Sequence, residues 1–203
     1  MDGHSRPLFH GMDPIEEQIF MLIDIYRQEH KLPLLEPSDN LAHVAHTHAV
    51  DFIENNPDVH GGNVHSWSNK GKWKPVTYTR DHRYAHLMWS KPSEISNYKS
   101  EGFEISYALE PSVRKTRTIV PKDVVDYWKS NPENNNVILQ QEGWVPMEAM
   151  GVGVYKGYAC AWFGQKPDTY PAPTGTEKGE YEHLRTINKY LDTIILSRGK
   201  RLR

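Results

Sequence analysis

Apolar residues recur along this chain with two different periods. Ile15, Ile19, Leu22, Ile23 and Tyr26 repeat at helical spacing behind Asp13-Pro14, an N-cap residue followed by proline at the first helical position. Pro33 and Pro37 break that helix, because proline cannot continue the backbone ladder. A second helix is predicted over 38–55, with Leu41, Val44, Ala45, His48 and Phe52 on one face. A shorter one over 80–89 ends in Met88-Trp89, and another covers 121–129 with Val124, Val125 and Trp128 turned inward. Strand-like alternation takes over at 102–108. It returns at 151–155 and 158–163, which read as a hairpin about Lys156-Gly157. Residues 56–79, punctuated by Asn56-Pro57, Gly61-Gly62 and Lys70-Gly71, read as loop, and so does the polar run 130–136.

These elements divide the chain into a flexible lead (1–12), a folded domain (13–165) and a C-terminal segment (166–203). The last of these opens as a Pro- and Thr-rich linker over 166–175. It continues into a helical extension, predicted over 179–197 from Tyr181, Leu184, Ile187, Leu191 and Ile194. With 203 residues, 37 % hydrophobic and 25 % charged, the chain suits one soluble domain with its own core. A net charge of -2 gives no electrostatic reason to expect a nucleic-acid partner, and the basic tip Arg198, Lys200, Arg201 and Arg203 reads as a solvated tail. A lone cysteine, Cys160, cannot form an intrachain disulfide. No run of about 18 apolar residues is present, so no transmembrane helix is expected, and Met1 to His10 carry no apolar stretch of a signal peptide.

Several short motifs then fall in a telling order. Tyr26-Arg27 and Leu32-Pro33-Leu34 leave the first helix; Leu41-Ala42-His43-Val44-Ala45 and His48-Ala49 lie on the second. Val64-His65-Ser66, Gly102-Phe103-Glu104-Ile105, a helix ending Trp128-Lys129-Ser130, and Gly151-Val152-Gly153-Val154-Tyr155 follow. Together they resemble the CAP (SCP-domain) superfamily of cysteine-rich secretory proteins, antigen 5 and pathogenesis-related 1 proteins, over roughly residues 15–164. The strand segment resembles the family's Gly-Glu-Asn-Ile/Leu motif with one residue, Phe103, inserted between Gly102 and Glu104. The resemblance implies an α+β fold, an α-β-α sandwich with a central, mainly antiparallel sheet between helical layers. It implies an extracellular or cell-envelope location, and it brings no general enzymatic activity with it.

The family's cleft is lined by two histidines and two acidic residues. Carried over by motif, the first histidine is His65 and the first acid Glu104; the second acid falls on Asn131 and the second histidine on Asn134, or on Asn135 if the register slips by one. Imidazole and carboxylate suit zinc, whereas a neutral amide is a poor zinc ligand. His65 and Glu104 are therefore the candidate metal ligands, zinc is the candidate ion, and no cofactor is expected. Asparagine amides still offer donors and an acceptor to a polar ligand. Alternatively, Asn131 and Asn134 to Asn136 simply cap a helix end.

His48, on an apolar helix face, reads as a packed core histidine, and His43 and His46 as solvent-facing. Cys160, between Ala159 and Ala161, reads as buried rather than reactive. Trp67 and Trp73 either edge a recognition surface or plug their loop onto the body. The leading functional expectation is a binding protein whose cleft around His65 and Glu104 takes a small molecule, lipid, glycan or protein. The alternatives are a metal-assisted hydrolase with Glu104 as general base, and an interaction module with a vestigial cleft.

Overall fold

Two glycines decide how the layers of this molecule meet. On the strand Ala149–Tyr155, side chains alternate between Met150, Val152 and Val154 on one face and Ala149, Gly151 and Gly153 on the other. A Cβ on Gly151 would lie 2.0 Å from the backbone nitrogen of Ala42, and one on Gly153 would lie 2.3 Å from the carbonyl carbon of Ala45. The helix carrying those residues thus rests directly on the strand backbone.

The computed structural model describes residues 11–173. In chain order the elements are α1 (Pro14–Glu29), β1 (Glu36–Pro37), α2 (Asp39–Asn55), a 3-10 turn (Pro57–His60), α3 (Ala85–Trp89) and α4 (Lys91–Ile95). Then come β2 (Gly102–Ala108), α5 (Pro121–Ser130), α6 (Pro132–Leu139), β3 (Ala149–Tyr155) and β4 (Tyr158–Gly164). The four-stranded sheet runs β1-β3-β4-β2, with β1 parallel to β3 and the other pairs antiparallel. Helix α2 covers one face, and α1, α5 and α6 cover the other. This is the expected α-β-α sandwich. Strand β2 lies at the sheet's edge, paired with β4 so that Glu104 sits opposite Trp162 and Ser106 opposite Cys160. Glu104 and Ser106 therefore share the face covered by α2.

The helix starts follow the sequence signals. Asp13 caps α1 by accepting the backbone N–H groups of Ile15 (2.8 Å) and Glu16 (3.0 Å), while the Glu16 carboxylate accepts the N–H of Asp13 (2.8 Å), a complete capping box. Ser38 caps α2 through the N–H of Leu41 at 3.0 Å. The far end of α1 is held by Arg27, fully buried, which donates to the Ile138 carbonyl (2.7 Å), the Pro33 carbonyl (3.2 Å) and Gln140 Oε1 (3.1 Å). It thereby satisfies a carbonyl at the C-terminal end of α6 that has no partner within the helix. Replacing Arg27 with methionine keeps the volume and strips these bonds. A loss of about 3 kcal/mol in urea unfolding is expected. A loss under about 1 kcal/mol would mean that Arg27 does not clamp α1 to α6.

Two readings need correction. The polar run expected as loop over 130–136 contains the start of α6, because Asn131 serves as N-cap and Pro132 as first helical residue. The helix expected over 80–89 is confined to α3, and the short elements β1 and α4 carry no periodic signal of their own. The loop 56–79 holds only the 3-10 turn and a bridge between Trp67 and Val76.

Past β4, residues 166–171 are bonded to the body. Asp168 accepts the Ser38 hydroxyl (2.6 Å) and the Asn40 backbone N–H (3.0 Å), at the positive end of the α2 dipole. Tyr98 donates to the Lys166 carbonyl at 2.6 Å. Of the lead expected over 1–12, residues 1–10 lie outside the described residues, as does the helix expected over 179–197, whereas Met12 is fully buried in the core.

Candidate functional site

Glu104 is the hub of a polar cluster at the β2 edge. Its side chain is 2 % exposed, and each carboxylate oxygen has a histidine partner: His48 on Oε1, and His65 Nδ1 on Oε2 at 2.8 Å. His48 comes from α2, one helical turn from Val44 and from Phe52, and so faces the sheet. It is fully buried and stacked on Trp67 with ring centres 4.1 Å apart and planes 7° from parallel. The sequence reading of a packed histidine describes its burial. It missed that His48 also supports Glu104. The Nε2 of His48 faces the Ser66 carbonyl at 3.0 Å. The Nδ1 side of the ring also meets the Tyr158 hydroxyl at 3.2 Å.

Tyr158 closes the cluster from β4. Its hydroxyl lies 2.9 Å from the Val64 carbonyl and 3.0 Å from Ser106 Oγ, which in turn lies 3.3 Å from His65 Nδ1. Burial would raise the Glu104 pKa, but the adjacent His48 and His65 outweigh it and hold the group at about 2. Burial, then the charge of Glu104, push the Tyr158 hydroxyl and the Cys160 thiol well up. Cys160 is fully buried and donates to the Ala45 carbonyl at 3.3 Å, so it is not poised as a nucleophile.

Above this cluster opens a cleft of about 690 Å³. All four positions carried over from the family motif line it: His65, Glu104, Asn131 and Asn134. Asn135 does not; its side chain accepts the Tyr26 hydroxyl at 2.9 Å. Asn131 performs the capping role anticipated for it, accepting the N–H of Asn134 at 3.2 Å. The rest of the lining combines Met88, Trp89, Phe103, Tyr127 and Trp144 with the polar Asn63 and Ser106, and with Arg80, His82 and Glu133 at exposed positions. Trp89 and Trp144 were absent from the sequence-derived site because no spacing links α3, β2 and the turn before β3.

Other histidine and tryptophan expectations change. His46 is buried beside Glu16, 2.9 Å away, and His43 is half-buried, so neither faces solvent as its polarity suggested. Helix α2 is enclosed nearly all round, which overrides the polar ranking of histidine. Trp67, 2 % exposed, plugs its loop onto the body, with Trp73 edge-on to it at 5.2 Å.

Zinc takes about three or four imidazole, thiolate or carboxylate ligands. The ligand atoms of His48, Glu104 and Cys160 lie within 4.8 Å of one another. Yet Glu104 is held by two histidines, His48 faces acceptors at both nitrogens, and Cys160 holds its proton toward Ala45. In the cleft itself the amides of Asn131 and Asn134 replace the anionic and imidazole donors. The residues present do not fit a zinc ion.

The family model for the cysteine-rich secretory protein family (CAP) matches residues 20–165. No curated protein matches the chain. Among solved structures, it is similar to an extracellular SCP-domain protein of Bacillus anthracis, at 20 % identity and TM-score 0.49, over 80 % of this chain and 45 % of that one. It is also similar to an outer surface protein of Borrelia burgdorferi, at 16 % identity and TM-score 0.47, over 79 % of this chain and 100 % of that one. A cysteine-rich secretory protein of Staphylococcus aureus matches at 16 % identity and TM-score 0.46, over 80 % of this chain and 42 % of that one. The chain thus spans less than half the length of the Bacillus and Staphylococcus proteins.

Proposed function

Because the chain belongs to the CAP family of cysteine-rich secretory proteins, we propose that it works by binding an organic ligand in the cleft around His65 and Glu104, without a metal ion. The observation that carries this reading is the engagement of Glu104: two histidines hold its two oxygens from within. A general base must reach the proton it takes and sit near the working pH. A carboxylate held at about 2 and 2 % exposed suits neither requirement, which argues against the hydrolase alternative. The burial of Trp67 argues against an interaction module built on the tryptophan-rich loop. The family supports a location outside the cell or in the envelope. Among the described residues no helix is long and apolar enough to cross a membrane.

Indole emission tests the binding reading, since Trp89 and Trp144 line the cleft. A long-chain fatty acid, a sterol, neutral oligosaccharides and short peptides would each be titrated in turn. One class is expected to shift the emission saturably, and Trp144→Ala to abolish the shift. No saturable response to any class would overturn the reading. Zinc chloride added to chelator-stripped protein is expected to give no micromolar binding isotherm. An isotherm that His65→Ala removes would overturn the metal-free part.

A further inference from the structure

We propose that the cleft ligand is a neutral glycan, an inference that rests on the binding reading above and names its ligand class. The first argument is Asn134. It is 9 % exposed and lines the cleft, and its side-chain amide makes no hydrogen bond among the described residues. That amide offers two donors and an acceptor to a molecule in the cleft.

The neighbouring groups extend the same pattern. His65 engages Glu104 through Nδ1 at 2.8 Å, which leaves Nε2 as its second polar atom. Asn131 uses its oxygen to cap α6, and Asn63 uses its oxygen on the His65 N–H at 3.0 Å, so each is left with an NH2 group as donor. The lining therefore presents the amide NH2 groups of Asn63 and Asn131 together with the Asn134 amide. The Glu104 carboxylate is engaged by His48 and His65, and at the exposed lining positions Arg80 and Glu133 have opposite signs beside His82. No single sign of fixed charge dominates this lining.

The aromatic wall supplies the second argument. Trp89 and Trp144 are half-buried and flank Phe103 edge-on, at 5.4 Å and 5.0 Å between ring centres. Indole surfaces beside planar amides match a pyranose, whose C–H face is apolar and whose rim hydroxyls each donate and accept. An acyl chain would cover the same indoles but leave the Asn134 amide without a partner, a penalty of about tenfold or more in affinity. The cleft volume of about 690 Å³ is of the size that holds small organic ligands.

The test is a printed array of neutral and acidic glycans, followed by isothermal titration of the strongest neutral hit into the intact chain. Saturable binding is expected, weakened tenfold or more by Asn134→Ala and by Trp144→Ala. Alanine is well tolerated in the first turn of α6, so Asn134→Ala should keep the wild-type circular dichroism and melting temperature. Binding of acidic glycans alone, or a neutral hit indifferent to Asn134→Ala, would overturn the inference. A saturable response to fatty acid, sterol or peptide with none to any glycan would overturn it too, while leaving the binding reading intact. Silence from every class would sink both.

Discussion

Replacing Gly153 with alanine is expected to destabilise the protein by on the order of 4 kcal/mol, more than most single substitutions. The added Cβ would meet the carbonyl carbon of Ala45 at 2.3 Å, the nitrogen of His46 at 2.4 Å and the oxygen of Ala45 at 2.6 Å. All three are backbone atoms, so no rotamer change relieves the contact. Either α2 lifts from the sheet or β3 bends away, and both open the face on which Leu41, Val44 and Phe52 are buried. Val152→Ala is the informative comparison. It removes two methyl groups facing the opposite layer, where a smaller loss of about 1–3 kcal/mol is ordinary. Urea unfolding of both variants gives the result. A Gly153→Ala loss smaller than that of Val152→Ala would show that α2 does not lie on the strand backbone. Because α2 also carries His48, the same substitution should disturb the Glu104 cluster and any binding that depends on it.

Glu104→Gln is expected to cost roughly 3 kcal/mol at neutral pH and to change how stability responds to acid. The substitution keeps the shape but removes the buried negative charge that both histidines face. The folded carboxyl sits at about 2, against an ordinary value of 4.5. Because the folded value is depressed, its contribution is fully present above 4.5 and is lost as pH falls through about 2. The gap of about 2.5 units corresponds to roughly 3 kcal/mol at most. Urea midpoints measured from pH 7 to pH 2 should therefore converge for wild type and Glu104→Gln as the solution is acidified. Parallel curves over that range would show that the two histidines do not hold the ionised carboxylate.

What could be read from the sequence, and what could not, follows from the range of the interactions involved. Asp13-Pro14 and Ser38 announce helix starts because a cap is local, and β3 and β4 announce themselves by alternation about a tight turn. Asn131-Pro132 carries the same kind of local signal, yet the polarity of the run hid α6; a helix whose outer turn is exposed needs few apolar residues. Strand β1 exists only through its pairing with Ala149 and Met150, so no window around Glu36 reveals it. The cleft divides the same way. His65 and Glu104 stand in short motifs, Asn131 follows the helix end at Trp128-Lys129-Ser130, and Asn134 precedes the apolar Val137-Ile138-Leu139. The partnership of His48 with Glu104 spans two elements far apart in the chain, and helical periodicity reports burial without saying what a buried histidine faces. The indoles of Trp89 and Trp144 come to flank Phe103 only once β2 has taken the sheet's edge.

The attachment of residues 166–171 bears on where this domain can be cut. The family match ends at residue 165, and a fragment stopped there would seem complete. It would lose Asp168 from the Ser38 hydroxyl and the Asn40 N–H, and Lys166 from Tyr98. The helix that bears His48 would then begin on unanswered donors, and the residues just past β4 would have nothing to fasten to. For expression or for grafting, the working C-terminus of the unit lies beyond Pro171, whose carbonyl accepts from Asn97 at 2.8 Å, rather than at the end of the last strand.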